Sequence, residues 1–151
     1  MTETIPLDQG DPRWVFPALT EAEAPAVEAA LALAAGRMRR IATGLGVRAG
    51  RAGAGLEYHR NEWIVAATIT GFVETPDLLV VCSLGFPRRC GFDLSWGPPW
   101  RAGTEVEVAG EVVDGWEEWF EQPVAAAEGF AAAADRLTGP VDAAVRRGHR
   151  A

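Results

Sequence analysis

Residues 63–84 read WIVAATITGFVETPDLLVVCSL, and the period of this stretch decides the fold class. From Leu56 onward the apolar spacing shifts toward two. Trp63–Val73 is rich in β-branched and aromatic residues, which suit a pleated, half-buried surface. Thr75-Pro76-Asp77 is a turn signal, because proline presets φ and aspartate bonds its own backbone. Leu78–Leu84 is a continuous apolar run. Its length and bounding turn predict a central strand buried on both faces. The stretch is therefore two strands joined by a tight connection.

Downstream, Phe92–Trp96 reads as a short strand. Thr104–Val113 alternates, with Val106, Val108 and Val112 expected on one face and Glu105, Glu107 and Glu111 on the other, and Asp114-Gly115 expected to end it. Trp116, Phe120, Val124, Ala127, Phe130, Ala134 and Leu137 keep helical spacing, with a break expected at Pro123. Gly139-Pro140 is a stop signal, and Val141 and Val145 suit a short last helix. Upstream, Tyr58 lies in a strand segment and Arg60-Asn61-Glu62 reads as a tight turn. Val27, Leu31, Ala34, Met38, Ile41 and Leu45 form one apolar helical stripe. Thr20 and Glu23 make a capping-box pattern. Pro25 fits only a first turn, so the regular helix is predicted to begin near it. Residues 1–19, broken by prolines, are expected to be an irregular arm. Residues 44–55, GLGVRAGRAGAG, are expected to be a glycine-rich linker. They contain Gly44, Gly46 and Ala49 in a G-x-G-x-x-A spacing. That spacing here follows a helix, whereas the dinucleotide fingerprint follows a strand and opens a helix. The sum is one α+β domain over 1–151: an antiparallel four- to five-stranded sheet with an N-terminal and a C-terminal helix on one face.

All 14 basic residues are arginine, so Schiff-base and Walker-type lysine chemistry is excluded. The net charge is −7 and it is unevenly placed. Residues 37–60 carry six arginines and one glutamate, whereas residues 104–135 carry nine acids and no base. An acidic whole argues against general nucleic-acid binding. No apolar run approaches a membrane span, and the N-terminus lacks a signal-peptide pattern, so neither a membrane nor secretion is expected. Two cysteines are too few for a disulfide framework, and a cytoplasmic protein with free thiols is the expectation.

The chemistry-bearing residues are few. His59 and His149 are the only histidines: His59, between Tyr58 and Arg60 with Glu62 nearby, reads as a half-exposed strand residue, and His149 as part of a frayed C-terminal end. Cys82 lies inside LLVVCSL and reads as a small hydrophobe. Cys90 follows Arg88 and Arg89, whose charges favour thiolate, and is the candidate reactive thiol. No cysteine–histidine spacing suits zinc, and no metal or other cofactor is expected. The aromatic loop Trp96-Gly97-Pro98-Pro99-Trp100 is stiffened by its prolines, and tryptophan is favoured at interface anchors. Trp96, Trp100 and Arg101, with the acids Glu105, Glu107, Glu111 and Glu117, are the candidate partner-binding residues.

These residues point to a protein-binding chain with no catalytic set. The expectation is an inhibitory protein, immunity- or antitoxin-like, whose acidic and aromatic surface masks a basic surface of another protein. The alternatives are a secretion chaperone or adaptor, whose apolar helix faces would support a homodimer, and a small-ligand binder or enzyme with a pocket near His59.

Overall fold

The computed structural model describes residues 2–47, 54–61, 66–85 and 99–148. Among them the chain runs β1 (Thr2–Pro6), α1 (Ala24–Gly44), β2 (Ala54–Asn61), β3 (Ala66–Glu74), β4 (Leu78–Gly85), β5 (Trp100–Val108), β6 (Glu111–Phe120), α2 (Pro123–Arg136) and α3 (Thr138–Gly148). The strands form one antiparallel sheet in sequence order, β1 to β6. Each strand pairs with its chain neighbour, so the sheet is a meander. The helices pack on one face of it and on each other. This is the α+β layering expected, with α1, which falls between β1 and β2, and the C-terminal helices covering one side of a sheet of six strands rather than four to five.

The covered face is the core. Cross-strand partners point to the same side. Ile69 and Val73 of β3 thus line up with Leu84 and Val80 of β4, and these with Ala102 and Val106 of β5; all six are buried. Val27, Leu31, Ala34, Met38 and Ile41 of α1 press on this layer, as the stripe required. From α2 come Ala126, Ala127, Phe130, Ala131 and Ala134. The many alanines let α1 and α2 approach closely. Arg37 crosses that seam: its guanidinium donates to the Ala131 carbonyl, and its Nε lies 3.7 Å from an Asp135 carboxylate oxygen. The capping box forms, with Thr20 N donating to Glu23 Oε1 at 3.2 Å and Glu23 N to Thr20 Oγ1 at 3.2 Å; Pro25 sits in the first turn.

Several readings need correction. The N-terminal arm is not wholly irregular. Residues 2–6 add β1 to the sheet edge against β2, and two 3-10 turns at Leu7–Gln9 and Pro12–Trp14 follow. Prolines permit an edge strand when they fall at its end, as Pro6 does. Second, β4 is not buried on both faces: Leu79, Val81 and Ser83 alternate as half-buried residues because only one face carries helices. Third, Thr104–Val113 is not one strand. A two-residue turn at Ala109-Gly110 splits it, with φ of +51° and +83°. Positive φ at both positions fits the hairpin turn whose twist matches that of the strands, and glycine takes it without strain. Fourth, Trp116 and Phe120 belong to β6, and the helix starts only at Pro123. A spacing of four satisfies a strand as well as a helix. Both side chains reach the covered face, where Phe120 lies against Gly129 so closely that a methyl there would overlap its ring. The C-terminal stop also comes earlier than Gly139-Pro140. Pro140 instead sits in the first turn of α3, where it forfeits no helical bond.

The expected turn at Arg60-Asn61-Glu62 begins later, since Arg60 and Asn61 still pair in β2. Glu62, the short strand Phe92–Trp96 and residues 48–53 of the 44–55 linker lie outside the described residues.

Candidate functional site

The face without helices presents a lattice whose rows follow from strand register. Reading across β4, β5 and β6, the rows are Gly85–Arg101–Trp119, Ser83–Gly103–Glu117, Val81–Glu105–Gly115 and Leu79–Glu107–Val112. A bulge between Val106 and Glu107 shifts the β6 register, so one extra residue separates the last two rows on that strand. On the same face, β3 contributes Thr70, Phe72 and Glu74, and β2 contributes Glu57.

Charge on this face is almost all negative. Glu57, Glu74, Glu105, Glu107 and Glu117 share it, and Arg101 is the only arginine there among the described residues. Arg101 Nε lies 2.6 Å from Glu117 Oε2. The neighbouring glycine leaves the guanidinium room to lie there. The Arg101 guanidinium lies flat over Gly103, whose missing Cβ would stand only 3.1–3.2 Å from it. Glu105 makes no ion pair with any described residue.

Where Gly103 and Gly115 leave no side chains, the surface sinks. The depression encloses about 370 Å³, is open to solvent, and is lined by Val81, Ser83, Arg101, Glu105 and Glu117 over a floor of β5 and β6 backbone. Apolar surface flanks it. Trp119 is 46% exposed, and Val112 and Val113 are exposed toward the turn.

The sequence-derived site residues separate. Arg101, Glu105, Glu107 and Glu117 meet on this face. Glu111 does not, because it pairs with Val108 and so falls on the helix side of the sheet. With Asp114 and Glu118 it instead charges the outer edge, which guards an open strand against pairing with another chain. Trp100 is not an exposed anchor. It is 5% exposed, donates from Nε1 to the Val15 carbonyl at 3.1 Å, and meets Phe16 edge to face at 5.1 Å. A partner has no surface of this indole left to bury. The N-terminal arm supplies its cover, since Val15 and Phe16 are themselves fully buried. Trp116 is likewise held inward, with the Arg136 guanidinium 5.0 Å from its ring centre.

Sequence reading missed Trp119, Glu57 and Glu74. The only available signal for Trp119 was its odd position two residues from Glu117. Glu57 and Glu74 are brought to the acidic face by register alone. Trp96, Cys90 and the side chains of Tyr58 and His59 lie outside the described residues; the backbone of His59 pairs with Thr4 and Thr68.

Cys82 is fully buried on the helix side, with its sulfur 4.0 Å from the Phe130 carbonyl oxygen. Burial pushes its thiol up to about 12. It is a packing residue. Among the described residues no three metal-ligating side chains gather, and no helix is long and apolar enough to cross a membrane. Comparison with protein-family models, with curated proteins and with solved structures finds no match for this chain.

Proposed function

We propose that this chain is an inhibitory protein-binding module, immunity- or antitoxin-like, that masks a basic surface of another protein with the open face of its sheet. The observation that carries the reading is the composition of that face. Five carboxylates and one already-paired arginine share it, and no described helix covers it. Exposed Trp119 stands at its margin. A rigid sheet presents these groups without an ordering penalty on binding. Facing carboxylates would steer a basic partner and speed encounter. Trp119 takes the anchoring role, since tryptophan buries a large area with few torsions to freeze.

The test starts from a partner captured from the native host and identified by mass spectrometry. The variant Glu105→Arg/Glu107→Arg should keep its stability within about 0.5 kcal/mol, as solvated positions do. Its association rate with the purified partner should fall by about tenfold or more at low salt, and the wild-type rate should itself fall as salt is added. Unchanged association rates would reduce the acidic face to a solvated surface and end the proposal.

A further inference from the structure

The depression over Gly103 and Gly115 has a shape and charge that the masking role does not by itself require. We infer that it is a seat for a single arginine side chain of a partner protein. The inference rests on the binding role proposed above and names the group that is recognised.

Three observations converge. The first is space. Two glycines, offset by one row on adjacent strands, remove the side chains that would otherwise level the sheet and leave about 370 Å³. The second is charge. Glu105 stands at the wall of the depression without an ion pair to any described residue, while Glu117 is already held by Arg101, so the lining keeps one net negative charge, on Glu105. The third is the protein's own Arg101. Its guanidinium already lies flat over Gly103 and bonds Glu117 at 2.6 Å, so this surface accepts a planar cation above a strand glycine. The Gly115 side of the depression is the corresponding place left vacant. A methyl built on Gly115 would meet nothing closer than the Thr104 carbonyl oxygen at 4.0 Å.

An arginine entering here would lay its aliphatic stem on Val81 and direct its fork to Glu105. Ser83 and Glu117 are also in the lining. Planar guanidinium suits a flat floor and a two-oxygen acceptor, whereas a lysine ammonium is a compact, more strongly hydrated point charge. The seat should therefore prefer arginine to lysine.

The experiment uses the full chain and two short capped peptides, Gly-Arg-Gly and Gly-Lys-Gly. Binding is followed by amide shifts of Gly103, Glu105 and Gly115 in ¹⁵N-labelled protein. The arginine peptide should shift these three amides and bind about tenfold more tightly than the lysine peptide. Gly115→Val fills the seat without changing any charge. It should fold as well as wild type, because a β-branched residue suits a strand, and it should lose the arginine preference. Glu105→Gln should lose affinity for both peptides. Equal binding of the two peptides, or an arginine preference that survives Gly115→Val, overturns the seat. If Gly115→Val leaves affinity for the captured partner unchanged while Glu105→Arg/Glu107→Arg lowers it, the seat fails and the acidic-face reading stands. If neither variant matters to that partner, both fall.

Discussion

The two faces of the sheet are made by the same strands and meet opposite surroundings. Along β4, Leu78, Val80, Cys82 and Leu84 are sealed under the helices, while Leu79, Val81 and Ser83 between them remain half open. Along β5, Ala102, Thr104 and Val106 are buried, and Arg101, Glu105 and Glu107 are not. Burial on the helix side is close to complete along β3 and β4, and no buried side-chain polar atom among the described residues lacks a partner. That side carries stability. The open side contributes little to it and is free to carry charge, glycine and an exposed indole. Gly103 and Gly115 weaken a strand, because glycine offers no side chain to pack. Such positions are tolerable where the opposite face holds the sheet.

The contrast can be broken most sharply at Phe130, which is fully buried between α2 and the sheet. Phe130→Ala should lower stability by about 3–5 kcal/mol in urea unfolding. Val81→Ala on the open face should lower it by about 1 kcal/mol or less. Similar losses at both sites would show that something else covers the open face.

Cys82 offers a chemical version of the same test. Burial lifts its thiol from 9.0 to about 12, so the folded chain favours the protonated form. This contribution is intact below pH 9 and fades as pH rises from about 9 to about 12. The full loss is on the order of 4 kcal/mol. Cys82→Ala should remove that part of the alkaline destabilisation. In the native chain at neutral pH, iodoacetamide should label Cys82 far more slowly than Cys90. Equal slow labelling of both would remove the reactive-thiol expectation for Cys90.

At the rim of the covered side, Trp100→Phe keeps a ring beside Phe16 but strips the donor from the Val15 carbonyl. Its expected cost is about 1–3 kcal/mol by the same unfolding measurement. A negligible cost would mean that water replaces the indole there. The smallest effect belongs to Arg101→Ala. The Arg101–Glu117 pair is exposed on both sides, and such pairs contribute less than about 1 kcal/mol. A double-mutant cycle with Glu117→Ala isolates that coupling, and a value well above 1 kcal/mol would make the pair a structural tie.

Much of the covered side was legible in sequence. The Val27–Ile41 stripe repeats at the helical period and meets only one neighbour layer, so local spacing specified burial directly. The capping box Thr20–Glu23 is legible for the same reason, since its bonds close within one turn. Misreadings fell where two periods agree or where a turn lacks its usual residues. Trp116 and Phe120 are four apart, a spacing that fits either element. Ala109-Gly110 hides a hairpin because alanine is an uncommon occupant of positive φ. Of the candidate site, Arg101, Glu105, Glu107 and Glu117 were legible as residue types, but their shared face was not.

The chain's own order of residues determined its class, its acidic balance, the helical stripe that builds the core and the absence of lysine chemistry. Those are properties of composition and of spacing within one element. Tertiary structure alone decided that Glu57 and Glu74 join Glu105 and Glu117, that Glu111 leaves them, that Trp100 is closed under Val15 and Phe16, and that Gly103 and Gly115 open one depression. All but the cover of Trp100, which comes from the folded-back N-terminal arm, depend on register between strands. A shift of one residue in pairing reverses which face a side chain meets, and no local spacing encodes that choice.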